Sequence, residues 1–148
     1  MNNLPMQPQL ARLIVALDHT AVAVENLHDS ITYYTDVLGL TLAHRETMAE
    51  QGVEAVLFDL ADAHIELITP LNSRNGVGRW LEKHGPGLHH IAYRTSDIDV
   101  ALATLASAGV RLIDERPRRG VRDSRVAFLH PSSCGGVLTE IVQPANHV

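Results

Sequence analysis

The chain has 148 residues, 45% of them apolar, which suits one compact domain or two small fused modules with a sizeable core. Its net charge of -5 argues against a general nucleic-acid binder, and no apolar run is long enough to span a membrane. Cys134 is the only cysteine, so an intrachain disulfide is excluded and a reducing, cytoplasmic setting is expected.

Met1 to Leu10 carries neither the basic start nor the apolar block of a signal peptide, and residues 1–12 read as an N-terminal tail. A strand is predicted over 13–24. On it His19, Ala21 and Ala23 share one face, and Thr20, Val22 and Val24 the other. A helix follows over 27–38, with Leu27, Ile31, Tyr34, Val37 and Leu38 at helical spacing, Asp29 or Ser30 as its cap and Gly39 at its end. Strands are predicted at 40–44, 53–60 and 64–69, with a loop over 45–52 and a turn at 61–63. Residues 71–87 are rich in Asn, Ser, Gly and Pro and read as a linker, with a helical turn or two around 77–83 anchored by Trp80 and Leu81.

The pattern then restarts. A strand over 88–95 is followed by a helix beginning at Ser96-Asp97, with Ile98, Ala101, Leu102, Leu105 and Ala108 as its apolar stripe and Gly109 at its end. Strands are predicted at 110–113, 125–130 and 137–142. The order β-α-β-β-β, linker, β-α-β-β-β is an internal repeat. It predicts an α+β fold of two tandem βαβββ modules that form a cupped, mostly antiparallel sheet around a metal site.

That site follows from overlaying the copies. His19 falls on His90 and Glu66 on Glu140, so each module offers one histidine from its first strand and one glutamate from its last. The glutamates sit mid-strand between apolar neighbours, and a buried carboxylate needs a partner. A divalent cation held by His19, Glu66, His90 and Glu140 supplies one. The mixed N/O set suits Co²⁺, Mn²⁺, Ni²⁺ or Zn²⁺ with positions open for substrate, and not Ca²⁺. His89 points to the face opposite His90 and is not counted. Five of the twelve basic residues, Arg116, Arg118, Arg119, Arg122 and Arg125, lie in one decade. They read either as a solvated loop or as a local anion site.

Several motifs carry a resemblance: Leu17-Asp18-His19, Glu50-Gln51-Gly52-Val53, Glu66-Leu67-Ile68-Thr69-Pro70-Leu71, Trp80-Leu81-Glu82-Lys83, Gly87-Leu88-His89-His90-Ile91-Ala92, Phe128-Leu129-His130-Pro131 and Gly135-Gly136-Val137-Leu138-Thr139-Glu140. With these the chain resembles the vicinal-oxygen-chelate superfamily and, within it, the methylmalonyl-CoA epimerases, from about Leu17 to Gln143. The resemblance implies a single domain over 13–145, with module one at 13–70, the linker at 71–87 and module two at 88–145. It implies the four ligands named above, Co²⁺ foremost among the metals, a CoA thioester as substrate, no membrane partner and a homodimer. The implied reaction interconverts the 2R and 2S forms of methylmalonyl-CoA through an enolate.

Two positions depart from the family pattern. Many epimerases carry glutamine where Glu66 stands. Some carry a glutamate, proposed as a base, at the position of Ala55. The neighbouring Glu54 faces the other way unless a bulge turns it inward. Glu140 and Glu54 are therefore the candidate acid–base groups. Arg118 and Arg119, with Arg79 and Lys83, are the candidate contacts of the CoA phosphates. The alternatives are a glyoxalase I-type lactoylglutathione lyase, an extradiol-type dioxygenase, and a non-catalytic binding protein of the same fold.

Overall fold

Residues 10–146 are described by the structure, a computed structural model. They form a helical turn α1 (Leu10–Leu13), β1 (Ile14–Ala23), α2 (Leu27–Thr32) continued by a π-type turn at Tyr33–Val37, β2 (Leu42–Met48), β3 (Val53–Leu60), β4 (Ala63–Pro70), α3 (Gly76–His84), β5 (Gly87–Thr95), α4 (Ile98–Ser107), β6 (Arg118–Arg119), β7 (Arg125–Leu129) and β8 (Thr139–Gln143). The expected N-terminal tail lies outside the described residues as far as residue 9. Its last residues, Leu10 to Arg12, are helical. The fold is α+β, built from two β-α-β-β-β modules whose strand pairs are mostly antiparallel. The chain gathers into two compact bodies, residues 19–90 and residues 10–18 with 91–146, and β1 and β5 contribute to both.

In the body of residues 19–90 the strand order is β2-β3-β4-β1. β1 and β4 are parallel and the other two pairs antiparallel. One face of this sheet is apolar. Val24, Val56, Phe58 and Leu67 pack there under Leu27, Ile31 and Tyr34 of the helical segment. The i, i+4, i+7 spacing of those three residues puts them on one stripe, and the Tyr34 ring stacks on Phe58 at 5.3 Å. Burying each large side chain of this cluster stabilises the fold by about 1.5–3 kcal/mol. The α2 cap is Asn26, whose side chain accepts from the Asp29 amide at 3.0 Å, and not Asp29 or Ser30 as expected.

Two further sequence expectations change here. β2 runs on to Met48, so the 45–52 loop contracts to a tight turn that closes on the Met48–Val53 pair. As the edge strand it tolerates exposed Arg45 and Thr47, whose polarity suggested a loop. The 71–87 linker contains a full helix, α3, capped by Asn75, whose carbonyl accepts from the Gly78 amide at 2.8 Å. The Asn75 amide group donates to the Gly52 carbonyl. Gly52 has φ +70, and a Cβ there would lie 2.7 Å from the Asn75 Nδ2, so the β2–β3 turn needs glycine for both reasons.

In the second body the order is β5-β8-β7-β6, again with the first and last strands of the module parallel. α4 covers one face, packing Ile98, Ala101 and Leu102 on Ala127, Leu129 and Ile141. Asp97 caps it by accepting from the Val100 amide at 3.1 Å, as predicted. The strand predicted at 110–113 is absent. Only an isolated bridge, Leu112 to Leu129, forms there, and the second strand of the module is the two-residue β6 at Arg118–Arg119. The segment still attaches to β7, through the Ile113 and Asp114 amides on the Phe128 carbonyl and the His130 amide on the Arg111 carbonyl. This sharing of one carbonyl breaks the regular ladder.

Candidate metal centre

The face of residues 19–90 turned away from the α2 core is set by register. His19 and Ala21 on β1 stand opposite His64 and Glu66 on β4, and Glu66 stands opposite Leu57 on β3. Cross-strand partners share a face, so His19 and Glu66 point the same way. His19 Nε2 lies 3.3 Å from Glu66 Oε2 and 3.2 Å from His90 Nε2. All three residues are at least 93% buried. Glu66 Oε2 and His90 Nε2 thus both lie against His19 Nε2, out of water.

The protonation states fit a cation. Burial, then the neighbouring His19 and His89, hold the His90 imidazole well below its ordinary range, so it is neutral at pH 7. A neutral imidazole beside a carboxylate is a donor set that divalent transition metals accept. The facing Nε2 atoms of His19 and His90, 3.2 Å apart, can share one proton, and a cation bound there would take both lone pairs instead.

His89 stays outside the candidate ligands, yet it touches one of them. Its Nδ1 lies 2.8 Å from His90 Nδ1, so it holds the nitrogen that His90 turns away from the centre. Trp80 meets the His89 ring edge-on at 5.0 Å, and Trp80 itself stacks on His84 at 4.7 Å. Burial and the nearby His84 draw His89 down to about 4. A ring that fixes the far nitrogen of a ligand histidine orients that ligand and sets its tautomer. The paired His-His motif was the available signal.

These residues lie within a recognised domain. Residues 18–128 match the Glyoxalase/Bleomycin resistance protein/Dioxygenase superfamily. The mitochondrial methylmalonyl-CoA epimerase of Bos taurus is 36% identical over 128 residues, 86% of this chain and 73% of that protein. The ethylmalonyl-CoA/methylmalonyl-CoA epimerase of Cereibacter sphaeroides is 33% identical over 133 residues, 88% of this chain and 99% of that protein. The chain belongs to the methylmalonyl-CoA epimerase branch of this superfamily. A solved methylmalonyl-CoA epimerase in complex with methylmalonyl-CoA and NH4+ is similar to it at 38% identity and a TM-score of 0.86, over 89% of this chain and 96% of that one. The epimerases of this branch are isomerases, and the resemblance read from the motifs is borne out.

The remaining candidates are placed as follows. Glu140 is buried on β8 opposite Ala92 of β5. Glu54 is not brought to the centre. β3 pairs with β4 from Val53–Pro70 to Leu60–Ala63 without a bulge, so Glu54 keeps the face opposite Glu66 and pairs there with Arg45. Arg118 and Arg119 are exposed and paired with Asp114 at 3.2 Å and Asp123 at 2.8 Å. Arg125 makes a bidentate pair with Asp99 at 2.8 and 3.0 Å. No helix among the described residues is long and apolar enough to cross a membrane.

Proposed function

We propose that this protein is a metal-dependent methylmalonyl-CoA epimerase that interconverts the 2R and 2S thioesters through an enolate. The observation that carries the reading is the pair of buried contacts that His19 makes, with Glu66 and with His90, in a chain of the epimerase branch. These three residues would hold the ion, with Glu140 as the fourth ligand. We favour Co²⁺, with Mn²⁺, Ni²⁺ or Zn²⁺ as alternatives. The ion supplies stabilisation of the negative charge that develops on the thioester oxygen.

The chain's own residues do the rest. His89 orients His90. The apolar neighbours of Glu66, Leu57 and Ala21, keep water from the ligand row. Glu140 takes the carbon-2 proton on one face of the substrate or returns it. Arg118 and Arg119 are our candidates for the CoA phosphates, exchanging their carboxylate partners for phosphate on binding. Replacing both with alanine is expected to raise KM for the thioester with little change in kcat, and an unchanged KM removes that assignment.

The deciding experiment is NMR of methylmalonyl-CoA in D₂O with metal-loaded and chelator-stripped protein. Metal-dependent deuterium incorporation at carbon 2, with inversion, is expected. Absence of exchange at full metal occupancy would sink the epimerase reading, and isomerisation of a glutathione hemithioacetal would then be measured.

A further inference from the structure

Inversion at carbon 2 needs one group to remove the proton from one face and a second to return it to the other. Glu54 is turned away, and Ala55 has no titratable group. The face that carries His19 and Glu66 offers four other polar side chains within residues 19–90: His44, Glu46, Asp59 and His64. We propose that Glu46 is the second acid–base group, an assignment that rests on the epimerase reading above.

The register places it. On β2, Arg45 and Thr47 are exposed while His44, Glu46 and Met48 turn inward. His44 stands opposite Leu57, and Glu46 stands opposite Ala55. Two neighbouring rows therefore cross the sheet. One runs His44, Leu57, Glu66, Ala21, and the other runs Glu46, Ala55, Ile68, Ala23. Glu46 and Glu66 are two strands apart and two residues out of line, about 10 Å across and about 7 Å along. Side chains reaching over that separation leave a small acyl group between their carboxylates. The β3 residue beside Glu46 in its row is an alanine, so only a methyl group stands between this carboxylate and the space in front of the ligand row.

The side-chain setting favours Glu46 over its neighbours. Its side chain is 19% exposed, and His44 Nε2 meets its Oε1 at 2.8 Å, which fixes the carboxylate's orientation. Asp59 and His64 pair at 2.7 Å beside the β3–β4 turn, where the Asp59 side chain is 47% exposed. A carboxylate in water on a turn is a poorer base for a carbon acid than one held against the sheet. His44 is then a positioning residue.

The step balances simply. Glu46 takes the carbon-2 proton of one epimer. The C–H electron pair becomes the carbon–carbon π bond of the enolate as the thioester π pair moves onto oxygen. A proton from Glu140 on the opposite face restores the C–H bond with inverted configuration. Proton exchange with solvent then resets both carboxyl groups.

The test uses the full chain, metal-loaded, with each epimer supplied separately in D₂O. Glu46→Gln is expected to lower epimerisation by about 10²- to 10⁴-fold. One epimer should still exchange its carbon-2 hydrogen with retention, because the group on the other face is intact. Metal stoichiometry should be unchanged, and the calorimetric Kd for the thioester should stay within about twofold. Glu46→Asp should restore part of the rate. It also carries the sided test if the glutamine variant does not fold. Epimerisation near the wild-type rate would overturn the proposal. So would equal loss of exchange from both epimers with metal and thioester binding intact. If the wild-type protein itself neither exchanges nor epimerises with metal bound, the epimerase reading fails and Glu46 falls with it.

Discussion

Replacing Glu66 with leucine separates what this side chain costs from what it does. Glu66 is 93% buried and meets His19 at 3.3 Å, and its cross-strand neighbours are Leu57 and Ala21. A leucine of similar volume would find apolar partners on both sides. Replacing a buried ion pair by packed hydrophobes is often neutral or stabilising by about 1–4 kcal/mol, and the partner left here, His19, can shed its charge and keep its contact with His90 Nε2 at 3.2 Å. In a chain of this length each kcal/mol moves Tm by about 2–4 °C. Under chelator, Glu66→Leu should therefore melt at or above the wild type. Metal reverses the order. An ion at a thousandfold excess over its Kd stabilises the native state by about 4 kcal/mol, and the variant should lose most of that gain. Urea unfolding at pH 7, with chelator and with Co²⁺, measures both halves. A leucine variant less stable than wild type without metal would mean that Glu66 is a structural pair with His19. An undiminished metal-induced shift would remove Glu66 from the ligand set.

Two further outcomes follow from the same geometry. His89→Ala leaves His90 Nδ1 without its partner at 2.8 Å and should weaken metal binding about 10- to 100-fold by calorimetry, with the fold retained; an unchanged Kd would refute an orienting role. Acid should destabilise the metal-free protein from about pH 6.5 downward, because the unfolded chain takes up protons on His89 and His90 that the folded state refuses. That loss is complete only below the folded pKa, which is about 4 for His89. Urea midpoints that stay flat between pH 6.5 and 5 in chelator would contradict the sign.

Much of the site was legible from the chain. The histidines recur at matched positions in two strands, and the glutamates recur in two others. The one-residue alternation of a strand then decides which side chains share a face, so His19 and Glu66 could be paired without coordinates. Strand β3 was readable to the residue because its run of apolar side chains, Val53 to Phe58 with one interruption, is buried on both faces. β2 was cut short because an edge strand carries polar residues that local pattern cannot distinguish from a loop. The strand expected at 110–113 has β-branched and aliphatic residues but no regular ladder, since one carbonyl of β7 serves both the Ile113 amide and that of Asp114 after it.

By itself, the sequence determined the repeat, the fold class, the helix ends at Gly39 and Gly109, and the residue types that could hold a metal, because these depend on short-range periodicity and backbone conformation. Cross-strand register decided the rest. It gave Glu54 to the far face and Glu46 to the near one. Side-chain contact brought His89 onto His90 despite their alternation. It also tied the arginines near 118–125 to nearby acids. Register and side-chain reach depend on which strands lie next to each other, a long-range fact that no window along the chain contains.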